Sequence, residues 1–205
     1  MGRLIKIDEY YLPQHKHLID SDECYFLLNY PPFHSHGRTP ANVLIMDFKI
    51  DMDRLNSQFW KEKKANAINL VSQMIQQSLI EIWTPESILI PLPPSKKKGH
   101  PLYDERIMAV LRNFSSAQKK CDLREIISIK ENLEATHKSS KKSPDEILSN
   151  LIIDKKLCVN KSNSIILVDD VVSSGAHFKA CQKGLSLEFP NANIKGVFIG
   201  RTPQF

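Results

Sequence analysis

The chain has 205 residues, 41% hydrophobic and 25% charged, a balance that suits one core with a small appended lobe and excludes wholesale disorder. Its net charge of +5 favours anionic ligands, but much of the excess sits in two clusters, Lys96 to Lys98 and Lys138 to Lys142; two local anion sites fit that layout better than a long nucleic-acid groove, and nucleic acid stays a weakly supported partner. The four cysteines form no CxxC pair, no apolar run is long enough to span a bilayer and the N-terminus has no signal-like stretch, so a zinc ribbon, a membrane partner and secretion are not expected, and a cytoplasmic protein is the default.

Residues 1–57 read as an irregular front section. It holds two apolar runs, 25–28 and 43–46, which read as short strands on either side of a Pro/Gly-broken loop. Two histidine pairs, His15/His17 and His34/His36, have no third ligand nearby, so no metal held directly by protein is expected. Residues 58–83 carry Ile68, Val71, Ile75, Leu79 and Ile82 at steps of three or four, which predicts a helix stopped at Thr84-Pro85. Ile88-Leu89-Ile90 is a short, wholly apolar strand of the kind buried on both faces. A loop from Pro91 to Pro101 follows, then a helix from Leu102 to Phe114, then a strand from Leu123 to Ile129. Residues 130–150 are polar and basic and read as mobile. Ile165 to Val168 is the strongest strand, Gly175 to Leu187 a helix, and Ile194 to Ile199 a closing strand. Strands alternating with helices predict βαβ units and an α/β fold with a parallel sheet.

The run from Ser164 to His177 carries the functional signal. Four β-favouring apolar residues lead into Asp169 and Asp170, a loop of small residues comes next, and then a helix. Ligands of an open parallel sheet bind beyond the carboxyl ends of its strands. Paired carboxylates there can accept hydrogen bonds from vicinal sugar hydroxyls. The loop offers backbone N–H groups and the Ser173 and Ser174 hydroxyls at a helix N-terminus, which suits a phosphate. Gly175 allows close backbone approach. The bland alternative is an ordinary strand-to-helix turn with a capping residue.

This run resembles the PRPP-binding signature of the type I phosphoribosyltransferases: a hydrophobic strand, two acids, two aliphatic residues, two small hydroxyl residues, glycine and a small residue. The resemblance implies that Asp169 and Asp170 bind the ribose hydroxyls. It implies that Val171, Val172, Ser173, Ser174, Gly175, Ala176 and His177 wrap the 5′-phosphate, with His177 standing where threonine is usual. It also implies that the loop after the first core strand binds pyrophosphate, through Ser95, Lys96 and Lys97, with Arg106 reaching the same anion; a solvated basic loop is the alternative. A flexible loop closing over PRPP would hold Lys138, Lys141 and Lys142 as lid residues, against a plain linker.

Within that family the likeness is to the ComF-like branch, for which Asp47-Phe48-Lys49 is similar to the opening segment; the zinc-binding cysteines many of its members carry near the N-terminus are missing. The fold implied is a parallel sheet flanked by helices over 58–205, with residues 1–57 as a small N-terminal hood. The activity implied is transfer of phosphoribosyl from PRPP to a nitrogenous, nucleobase-like acceptor with release of pyrophosphate. Mg²⁺ would travel with the PRPP. The alternative is a non-catalytic binder of PRPP or a nucleoside monophosphate, acting as a regulatory or nucleic-acid-associated protein. A receiver-type domain ranks lower, because its acidic pair would come after the first strand. A homodimer is compatible with the sequence. Aspartate-to-asparagine changes at 169 and 170 together are expected to abolish PRPP binding and spare the fold.

Overall fold

The computed structural model describes residues 3–31, 39–118, 120–132, 142–160 and 162–202. Among the described residues, eight strands form two sheets: β1 (Ile5–Lys6), β2 (Cys24–Asn29), β3 (Ile88–Pro91), β4 (Asp122–Leu123), β5 (Ile127–Ile129), β6 (Leu151–Ile153), β7 (Ser164–Val172) and β8 (Asn193–Arg201). The larger sheet has the order β1-β2-β8-β7-β3-β4. All its neighbours are parallel except β1, which pairs antiparallel with β2 at one edge. Strands β5 and β6 form a separate antiparallel pair. The α/β expectation with a mostly parallel sheet is met.

Helices cover both faces of the sheet. They are α1 (Pro40–Phe48), α2 (Gln58–Ser78), α3 (Arg106–Ala117), α4 (Pro144–Ser149) and α5 (Ala176–Glu188). The alternation of strand residues decides which face each helix covers. Ile88, Ile90, Ile165, Leu167 and Phe198 join Phe178, Cys181 and Leu185 of α5 in one apolar cluster. Leu89, Ile166, Val168, Val197 and Ile199 join Ile45 and Phe48 of α1, Val71 and Ile75 of α2, and Val110, Leu111 and Phe114 of α3 in the other. The central strands β3 and β7 are therefore apolar on both sides, as a sheet between two helical layers requires. Each fully buried Ile, Leu or Phe there contributes roughly 2 kcal/mol relative to exposure.

Several boundaries differ from the sequence expectation. The run at 43–46 lies in α1 and is helical, because Thr39 caps the helix by accepting the Asn42 N–H at 3.1 Å and Pro40 opens its first turn. Helix α3 starts at Arg106, not Leu102; Asp104 accepts the Arg106 N–H at 3.1 Å and fixes the start. The strand expected over 123–129 is two, β4 in the large sheet and β5 in the small one. The stretch 130–150 contains α4, opened by a reciprocal capping box between Ser143 and Glu146. Residues of the front section build β1 and β2, so the first 57 residues contribute two strands to the same large sheet as the C-terminal half of the chain.

Candidate anion-binding site

Strand β7 runs four residues further than its apolar core, pairing with β8 as far as Val172 opposite Arg201. Asp169 and Asp170 therefore lie within the strand, and successive strand residues point to opposite faces. Asp169 turns toward α5 and meets His177 Nδ1 at 3.0 Å. Asp170 turns toward α1 and α3. Val171 and Val172 also belong to β7, so the connecting loop is only Ser173 to Gly175, shorter than the Val171 to Ala176 loop expected.

Asp170 is 8% exposed and sits in a chain of charges. Lys49 Nζ lies 3.2 Å away, Arg106 Nε donates at 3.2 Å, and Arg106 Nη2 donates to the same carboxylate oxygen. Arg106 Nη1 reaches on to Asp104, which also accepts from Lys64 Nζ at 2.7 Å. Lys64 is buried and further donates to the carbonyls of Phe48 and Ile50, at 3.2 and 2.7 Å. Those two carbonyls flank Lys49, so Lys64 fixes the backbone from which Lys49 extends. Burial would raise the pKa of Asp170, but Lys49 and Arg106 outweigh it and hold the carboxyl far below the usual range. Burial likewise works against the charge of Arg106, and Asp170 with Asp104 reverses that and raises its pKa. For Lys64, burial prevails and lowers its pKa.

Asp169 is the more open acid. Its Oδ1 accepts the Asp170 N–H at 2.8 Å and its Oδ2 faces His177, which leaves acceptor capacity on a group with about four lone-pair sites. Burial opposes a charge on His177, but the Cys181 sulfur and the Asp169 carboxylate prevail and raise its pKa well above the ordinary value, which favours the protonated ring.

The loop beyond β7 closes the arrangement. Gly175 caps α5 with φ of +83°, a left-handed conformation in which glycine is unstrained. Ala176 N–H bonds the Ser174 hydroxyl at 3.4 Å. The backbone N–H groups of Ser173, Ser174, Gly175, His177 and Phe178 donate to no other described residue. They stand together at the positive end of a helix dipole with no acceptor among the described residues, a setting that attracts an oxyanion.

These parts face one cavity of about 760 Å³, within the range of small-molecule sites. Asp169, Asp170 and every residue from Val171 to His177 line it, and so do Ser95, Lys96, Arg106 and Lys142. Lys97 does not; it borders a neighbouring hollow of about 210 Å³, and its backbone N–H is held by Asn132 at 2.8 Å. Lys138, Lys141, His34 and His36 lie outside the described residues. Arg106 spends three N–H groups on carboxylates, so its sequence role as an anion clamp is shared with a structural one. Register explains why the basic loop and the acidic strand meet: β3 and β7 are neighbours, with Pro91 opposite Val168.

Sequence reasoning does not assign Lys49, Lys64 or Asp104 to the site. Lys49 is visible only as part of the Asp47-Phe48-Lys49 likeness, and the other two give no local signal. Among the described residues no group of three His, Cys, Asp or Glu side chains can hold a metal ion, and no helix is long and apolar enough to cross a membrane. No protein-family model matches this sequence, and no curated protein matches it at a significant level.

Proposed function

We propose that this chain binds the ribose 5-phosphate portion of PRPP and transfers it to a nitrogenous, nucleobase-like acceptor, releasing pyrophosphate, as a divergent type I phosphoribosyltransferase. The observation that carries the proposal is the cavity in which a carboxylate with free acceptor sites, Asp169, stands beside a loop whose N–H groups have no acceptor among the described residues. Asp169 accepts a ribose hydroxyl, and the N–H groups of 173–175 and 177–178 take the 5′-phosphate together with the His177 imidazolium. Asp170 acts by holding Lys49 and Arg106 at the cavity floor.

Ser95 and Lys96 on the loop after β3 face the same space and suit the departing pyrophosphate. Positioning the ring and stabilising the charge that builds on the leaving group are what this chain's residues contribute to the displacement at C1. Mg²⁺ would enter on the phosphates of PRPP and add positive charge there.

A second reading, binding without turnover, is favoured by one feature: both acids already have partners, Asp170 with Lys49 and Arg106, and Asp169 with His177. Calorimetry with ribose 5-phosphate and PRPP tests the shared part of the two. Asp169→Asn is the clean variant, because Asp170→Asn also breaks the buried ion network. We expect Asp169→Asn to weaken ribose 5-phosphate binding at least tenfold, and unchanged affinity refutes the assignment. Pyrophosphate release with a panel of bases then separates an enzyme from a binder.

A further inference from the structure

The N-terminal segment at 11–18 lies beneath the loop after β7, and its contacts there are specific. His15 is 1% exposed, and its Nδ1 hydrogen-bonds the carbonyl of Ser173. Two residues on, the His17 N–H donates to the carbonyl of Ser174 at 2.8 Å. Leu18 packs directly under Gly175: a Cβ built on that glycine would come within 2.6 Å of Leu18 Cγ and Cδ2.

In a trans peptide the carbonyl of one residue and the N–H of the next point in opposite directions. Drawing the Ser173 and Ser174 carbonyls down onto this segment therefore turns the Ser174 and Gly175 N–H groups up, into the cavity. We infer that the segment from His15 to Leu18 is a positioning strap that sets the anion loop, with the His15 side chain as its principal donor; the inference rests on the anion-binding reading of that loop.

Two further observations support it. The strap is itself anchored from the far end of β8. Arg201 donates to Gln14 Oε1 at 2.6 Å and to Asn29 Oδ1 at 2.8 Å, and lies 4.3 Å from the centre of the Tyr11 ring. The second concerns the other ring nitrogen. A carbonyl partner requires the proton on Nδ1, which leaves Nε2 a bare acceptor, and Nε2 is buried with no partner. Leaving a polar atom dry opposes stability, so packing alone does not explain a histidine at this position. Burial, opposed by the Ser173 bond and aided by Arg201, lowers the pKa of His15 and keeps the ring neutral. Neutrality with the proton on Nδ1 is the state the strap needs.

The test pairs two variants with one measurement on the unaltered protein. His15→Leu fills the space without a donor, and His15→Asn returns an N–H near the position of Nδ1. Calorimetry with inorganic phosphate and with ribose 5-phosphate is expected to show both ligands weakened about tenfold to a hundredfold in His15→Leu, the cost of losing an oriented donor to a charged group. His15→Asn is expected to recover most of that loss. Thermal unfolding of each free variant separates this from mere destabilisation, because a purely structural role moves the midpoint and leaves the affinity of the folded protein alone. Wild-type affinity in folded His15→Leu, or no recovery in His15→Asn, overturns the inference. Nitrogen-15 NMR of the His15 ring gives a decision that needs no ligand: at a pH above the ordinary histidine value the neutral ring is expected to carry its proton on Nδ1, and a proton on Nε2 overturns the strap. If the unaltered protein binds neither phosphate nor ribose 5-phosphate, the anion reading fails, and the ring tautomer still judges the strap.

Discussion

Replacing Asp170 with asparagine removes the carboxylate that Lys49 and Arg106 share. In the substituted protein Lys64 and Arg106 keep Asp104, while Lys49 loses its carboxylate partner. Removing one partner of a buried ion pair costs about 3–5 kcal/mol. The Lys49 side chain is 39% exposed and recovers much of its solvation, so its part is small. Arg106, at 18%, is not so relieved, and the net loss should be about 3 kcal/mol. A domain of this kind is stable by about 5–15 kcal/mol, so the variant folds. With a urea slope of about 2 kcal/mol per molar, its midpoint falls by about 1.5 M at pH 7.

The assay is urea unfolding of a double-mutant cycle made of Asp170→Asn, Arg106→Met and the pair. Because Arg106→Met removes the stranded cation, the pair should be less destabilised than the sum of the singles by about 2 kcal/mol. Strict additivity would refute the ion network as described. The depressed pKa of Asp170 sets the sign against pH: its contribution is present above the ordinary carboxylate range and is lost as pH falls toward its much lower folded value.

Gly175→Ala should cost about 1–2 kcal/mol for the left-handed backbone, more once the Cβ meets Leu18, and should weaken ribose 5-phosphate binding in calorimetry. The raised pKa of His177 means its charge stabilises the folded state below the ordinary histidine value, and that contribution fades as pH climbs through the higher folded value. Urea midpoints should therefore drop as pH rises above the ordinary histidine value, and the part due to this pair should vanish in His177→Gln. Phosphate binding should weaken over the same rise, as the imidazolium is lost.

Local signals in the sequence locate much of this. The apolar triplet at 88–90 and the Ile165 to Val168 run each form the element their pattern predicts, and the 3.6-residue period of 58–83 forms α2 over Gln58–Ser78, with Leu79–Glu81 continuing only as a 3-10 turn. The acids, the loop and Gly175 are readable because one short stretch of chain supplies them all. What is not readable depends on distant partners. The run at 43–46 has the composition of a strand and becomes helix under a Thr-Pro cap that is present in the sequence but masked by its β-branched and aliphatic residues. The neighbours of Asp170 come from residues 49 and 106, and no local pattern reports such a meeting. Nor does any periodicity show that His15 reaches Ser173.

The place of β2 beside β8 bears on how the chain folds. Asn29 and Arg201, joined by a hydrogen bond across the two strands, are 172 residues apart in sequence. Pairings of such long range close large loops, and they form late. Until β8 docks, β2 keeps only β1, a two-residue partner, and presents an open edge that another chain can capture. Slow refolding with concentration-dependent loss to aggregates is the expected kinetic signature, and the ligand pocket should mature in that same final phase.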